Sequence, residues 1–123
     1  MKHVVRSAKP VKVRKSLYSE KLFEKSSSNL RAAMSTGLKT KYTLNSIRVR
    51  PGDSVKLVRG EYAGIEGKVQ KVFPSEGTVT IEGVTREKIA GGTTPIRIHT
   101  SNVVVTNLNL DDKFRRNKVE GQK

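Results

Sequence analysis

"RPGDSVKLVRGEYAGIEGKV", Arg50 to Val69, is the stretch on which the fold turns. Val55, Leu57 and Val58 read as a strand, and the run Lys68–Val72 that closes the stretch reads as a second. Between them lies "RGEYAGIEG", which carries Gly60, Gly64 and Gly67 together with Arg59 and Tyr62. Three glycines in so short a connection serve a chain that must turn sharply, or that lets another backbone approach closely. A bulge or a turn alone accounts for each glycine taken singly. A cation and an aromatic on the same loop add a surface suited to an anionic, stackable partner.

Working outward, the apolar period stays at two from Pro51 onward. Strands are expected at about Ser54–Val58, Gly67–Phe73, Thr78–Ile81, Ile96–His99 and Val103–Asn107. "PSEG" (Pro74–Gly77) is a turn, and "AGGTTP" (Ala90–Pro95) a longer hairpin tip with Gly91 and Gly92 free to take positive φ. Five short strands joined by glycine turns predict a mainly β fold, a small barrel over residues 51–110. Its expected core is Val55, Leu57, Val69, Val79, Ile81, Ile96, Ile98, Val103 and Val105.

Upstream the character changes. Of 25 Lys and Arg in the 123 residues, 13 fall in residues 1–50 against 2 acids, Glu20 and Glu24. Residues 51–110 hold 7 against 6 acids, and residues 111–123 hold 5 against 3. The organisation expected is therefore a basic N-terminal arm (1–50), a near-neutral barrel (51–110) and a short basic tail (111–123). "VKVRK" (Val11–Lys15) alternates apolar and basic residues. "SSSNLRAAMS" (Ser26–Ser35) reads as a short helix capped by Ser or Asn and stopped near Gly37, and "LKTKYTL" (Leu38–Leu44) as a second turn or two of helix. A mitochondrial transit peptide is disfavoured, because Lys rather than Arg dominates and the basic content runs on to Arg50.

The net charge of +14 exceeds the magnitude of about 2–8 that keeps a small domain soluble, and implies a polyanionic partner. The chain has no cysteine, so it holds no disulfide framework and no thiolate metal site; an intracellular location is expected. No apolar run approaches the roughly 18 residues of a spanning helix, so no membrane insertion is expected. Catalysis has little to stand on. The histidines are His3 and His99, without metal-ligand spacing, and Asp53, Asp111 and Asp112 form no carboxylate pair in an apolar pocket. A phosphate-cradling G-x-x-x-x-G-K-[ST] is missing, and no cofactor is expected.

"GDSVKLVRGEYAGIEGKVQKV" resembles the KOW motif, which implies an SH3-like barrel of the kind found in ribosomal proteins and transcription elongation factors. "TREK", "GGTTP", "IHTSNVVVTNLNLDD" and the upstream "LKTKYTLNSIRVRPGD" are similar to one family, large-subunit ribosomal protein number twenty-four in its archaeal and eukaryotic branch. The resemblance covers roughly Leu30 to Arg115. It implies a cytoplasmic, non-enzymatic constituent of the large subunit, binding rRNA near the 5′ end, acting early in assembly and sitting at the peptide exit tunnel rim. It also implies neighbouring ribosomal proteins as partners and a monomer within the particle. The alternative is a KOW-type elongation module touching polymerase and nascent RNA, which is normally attached to a further domain.

RNA-contact candidates follow from charge and placement. In the arm they are Arg6, Lys12, Arg14, Lys15, Arg31, Lys39, Lys41 and Arg48. On the glycine loop Arg59 is read as a phosphate contact, Tyr62 as a stacking ring or as a lid on the barrel end, and Gly64 as a point of close approach. Lys68 and Lys71, three apart, cannot share one face of an ideal strand, and Lys68 is retained. Arg86 and Lys88 either grip successive phosphates or pair with Glu82 or Glu66. Arg97 belongs to the same set. His99 is read as an RNA contact or as one of a polar corner with Thr100, Ser101 and Asn102, in which Ser101 and Asn102 close a turn through side-chain to backbone bonds.

Overall fold

The computed structural model describes residues 7–19 and 30–121. Seven strands make one sheet: β1 (Arg31–Met34), β2 (Ser46–Arg48), β3 (Ser54–Leu57), β4 (Glu66–Phe73), β5 (Thr78–Glu87), β6 (Thr93–His99) and β7 (Val103–Asn107). Among the described residues three α-helices accompany them: α1 (Pro10–Ser19), α2 (Thr36–Tyr42) and α3 (Lys113–Glu120). The spatial order is β2-β1-β7-β3-β4-β5-β6. β1 runs parallel to β7, and the other pairings are antiparallel. The result is the mainly β, barrel-like domain that the sequence predicts.

The five expected strands form, Val103–Asn107 with the expected limits and β5 running on past Ile81 to Glu87. Of the expected core, Ile96 is only half-buried; the others are buried. The hairpin tip behaves as read, with φ +93 at Gly91 and +84 at Gly92.

Two expectations upstream need correction. Arg31–Met34, read as helix, is a strand. Its alternation of exposed Arg31 and Ala33 with buried Ala32 and Met34 is the period of a sheet. Helix propensity in "RAAM" is a weak preference that tertiary pairing overrides. Here Met34 N–H donates to the Asn45 carbonyl at 3.1 Å and Ser35 N–H to that of Val105 at 2.9 Å, so β1 is held on both sides. The expected Ser or Asn cap at residues 26–29 lies outside the described residues. Gly37 does not stop a helix either: it sits inside α2, which ends at Thr43 in the left-handed conformation (φ 57).

It follows that the packed unit does not begin at Pro51. Leu30, Ala32, Met34, Tyr42, Ile47 and Val49 join the core from the stretch assigned to the arm, and Val119 joins it from the tail. What stays apart is α1. Pro10 takes the first helical position, where its missing N–H costs nothing. The described side chains of α1 are exposed, Val11, Val13 and Tyr18 among them.

The C-terminal helix is fastened from within. Asp53, fully buried in the turn before β3, holds the guanidinium of Arg115 with both oxygens, at 2.5 and 2.6 Å. The same carboxylate accepts the backbone N–H groups of Arg50 and Asn109. Arg115 also donates to the carbonyls of Asn109 and Arg48. One ion pair thus ties α3 to the β2 end and to the entrance of β3.

Candidate nucleic-acid interface

The glycine loop resolves into two devices. Gly60 and Gly64 both have φ +91, and a Cβ at either would meet open space. Both take a backbone conformation that favours glycine, and Gly64 N–H donates to the Leu57 carbonyl at 2.8 Å to close the loop. Gly67 is different: a Cβ would lie 2.5 Å from the Glu82 carbonyl oxygen and 2.8 Å from Ile81 Cγ2. The backbone that approaches it is the chain's own β5. Arg59 projects from this loop, exposed and without an ion pair among the described residues. Tyr62 packs half-buried against the core.

The outer face of β4–β6 is the second surface. The register slips between Val69 and Lys71, so one residue is extra on β4. Val69 and Val72, three apart, both turn toward the core, and Lys68 and Lys71 therefore share the exposed face. The bulge thus overturns the reading that these two lysines must diverge. Lys71 Nζ lies 5.3 Å and the Arg97 guanidinium 4.1 Å from the centre of the Phe73 ring. Arg97 is further engaged by both oxygens of Glu76, at 2.8 and 2.7 Å. Its charge is largely compensated within the fold. His99 Nδ1 sits 2.8 Å from Ser101 Oγ and accepts the Ser101 N–H at 3.2 Å. The His99 side chain thereby caps the 3-10 turn Thr100–Asn102. Arg86 and Lys88 stand exposed on the β5–β6 hairpin; Arg86 faces Thr94, and neither pairs with Glu82 or Glu66. Glu66 instead meets Lys56 at 3.6 Å.

In the N-terminal region, Lys12, Arg14 and Lys15 sit exposed on α1, which contains no acid. Lys39 and Lys41 are exposed on α2, with Lys41 Nζ 5.1 Å from the Tyr42 ring. Arg6 lies outside the described residues. Arg31 and Arg48 come together: they are directly paired across β1 and β2, and both line a cleft of about 360 Å³ closed on its far side by α3.

That cleft contains residues the sequence reading left out. Phe114 and Lys118 face it from α3, and Arg50 stands at its edge. Arg50 is neutralised by Asp112, which also caps α3 by accepting the Phe114 N–H. The Arg50 guanidinium, followed by the backbone N–H of Phe114, holds the Asp112 carboxyl below the usual carboxylate range. The available signal was an acid cap before "KFRRNK", which places Phe114 and Lys118 four apart on one helix face. Among the described residues no group of three His, Cys, Asp or Glu could hold a metal ion, and no helix is long and apolar enough to cross a membrane.

The sequence is similar to those of known proteins. The model of the family that joins the eukaryotic ribosomal proteins L26 to their archaeal L24 counterparts matches residues 7–122. The chain is 43% identical over 114 residues to the large ribosomal subunit protein uL24 of Nitrosopumilus maritimus, spanning 93% of this chain and 68% of that one. It is 42% identical over 117 residues to uL24 of Saccharolobus solfataricus, spanning 95% and 98%. The uL24 protein of Korarchaeum cryptofilum is 40% identical over 116 residues, spanning 94% and 88%.

Proposed function

The chain belongs to the uL24 family of large ribosomal subunit proteins, structural constituents rather than enzymes, and from that premise we propose that it binds large-subunit rRNA directly. The barrel-like body docks on folded RNA by shape and by phosphate and 2′-OH contacts, while the basic N-terminal segment runs between RNA helices. Its place is near the 5′ end of the rRNA and at the rim of the peptide exit tunnel. It joins early in assembly, as a single copy among neighbouring ribosomal proteins.

The observation that carries this reading is uncompensated charge. Lys12, Arg14, Lys15, Arg31, Lys39, Arg48, Arg59, Lys68, Arg86 and Lys88 have no ion pair among the described residues. Cations left unpaired on several separate surfaces suit a partner that surrounds the protein with phosphate, as folded RNA does. The test is binding of the full chain to a transcript of the 5′ region of large-subunit rRNA and to an unrelated RNA of equal length, across a salt series. A clear preference for the first at physiological salt is expected. Equal affinity for both would refute the direct, specific contact.

A further inference from the structure

We propose that the cleft between the β1–β2 edge and α3 is an RNA site that takes one phosphodiester with its adjoining base. This rests on the rRNA-binding reading above and assigns it to particular atoms. Arg31 and Arg48 are direct partners across the two strands, and like charges placed opposite each other destabilise a sheet. Of the arginines that line the cleft, Arg50 is matched by Asp112 and Arg115 by Asp53. Arg31 and Arg48 have no ion pair among the described residues. The cleft lining holds Arg31, Arg48, Arg50, Arg115 and Lys118 and no carboxylate side chain. With Arg50 and Arg115 already engaged, Arg31, Arg48 and Lys118 remain for an anion that the protein itself does not provide.

The second element is aromatic. Phe114 lines the same cleft and is 83% exposed, an unfavourable position for a large apolar ring in water. It is presented on the helix face that carries Lys118. The carbonyls that accept from Arg115, those of Arg48 and Asn109, fix α3 against the strand bearing Arg48. The ring and the two arginines are therefore set by one rigid framework. A volume of about 360 Å³ lies within the range of about 300–1,000 Å³ seen for small-ligand sites and admits a nucleotide. A planar ring beside a paired guanidinium fork fits a base and its phosphate. An acidic protein segment would use the cations and leave the ring in water.

The experiment uses the full chain with two probes, a fluorescein-labelled twelve-nucleotide oligouridylate and a transcript of the 5′ region of large-subunit rRNA. Arg31→Gln with Arg48→Gln should flatten the plot of log affinity against log salt by about 0.7–0.9, the contribution of the one phosphate that the pair neutralises. Phe114→Ala should weaken oligouridylate binding about tenfold, and Phe114→Leu nearly as much, since stacking rather than bulk is lost. Lys118→Gln, on an exposed side chain, gives a third reading if the arginine pair impairs folding, which thermal melting reports. Transcript binding by the parent chain with an unchanged slope and unchanged Phe114→Ala affinity would overturn the cleft alone. Failure of the parent chain to bind the transcript would overturn the rRNA reading and the cleft with it. Competition by an acidic peptide at equal charge concentration, with Phe114→Ala without effect, would assign the cleft to a protein partner and also overturn the proposal.

Discussion

Replacing Asp53 by Asn tests the internal fastening of α3. Asp53 is fully buried and Arg115 nearly so. The carboxylate satisfies the guanidinium at 2.5 and 2.6 Å and two backbone N–H groups besides. The amide is isosteric but neutral, and its NH₂ group must point at a donor. A buried cation then remains without a counter-charge, and breaking a buried pair from one side costs about 3–5 kcal/mol. Set against a total stability of about 5–15 kcal/mol, that is a large fraction. At about 4–8 °C per kcal/mol for a domain of this size, the melting point should fall by roughly 12–40 °C. Adding Arg115→Met removes the orphaned charge, and the double variant should recover at least about half of the loss. Thermal unfolding followed by circular dichroism, on both single variants and the double, measures the coupling. A drop of less than about 5 °C for Asp53→Asn, or a double variant no more stable than the single, would refute the reasoning.

Other outcomes are expected. Gly64→Ala should cost about 1–2 kcal/mol through its positive φ and leave the β4–β5 pairing intact. Gly67→Ala should cost about 1–3 kcal/mol and shift the amide signals of Ile81 and Glu82, because its Cβ would push β5 away. Urea unfolding and amide spectra check both. Replacing Lys12, Arg14 and Lys15 together by Gln should flatten the salt dependence of rRNA binding by about 2–3 while leaving the melting point unchanged, since these side chains are exposed. Asp112→Asn keeps a good helix cap but loses the pair with Arg50. Because the folded carboxyl titrates below its ordinary value, its contribution is present above the ordinary range and lost as pH falls through the lowered value. The stability gap between parent and variant should therefore be widest near neutrality, vanish in acid and shrink in high salt.

Residues 54–107 were legible because their information is local. Period-two runs such as Val55–Leu57 and Val103–Val105, with glycine turns between them, point to strands whatever lies outside them. Ala32, Met34 and Ile47 were not legible. Nothing within Arg31–Met34 announces a strand; its partner β7 lies some seventy residues on, and a short segment takes the structure its neighbours impose. The shared face of Lys68 and Lys71 was hidden for a related reason, since a bulge belongs to a pair of strands and one strand's sequence does not display it. Arg97 and His99 were visible as polar groups, while their engagement by Glu76 and Ser101 was not. The cleft required α3 folded back on β2, which depends on a contact between residues 53 and 115 that no periodicity reveals.

The parallel pairing of β1 with β7 has a consequence for how the chain comes into being. During synthesis from the N-terminus, β1 and β2 emerge first, and the hairpin they form sets Arg31 directly against Arg48 with little else to hold it. The strand that completes their wall arrives only with Val103–Asn107, and the cation that satisfies Asp53 later still. Contacts between such distant segments require the loop between them to close first, which slows folding. β1 therefore gains its parallel partner only after β3–β6 have been made, and a chain interrupted before Arg115 would leave the buried Asp53 without its cation.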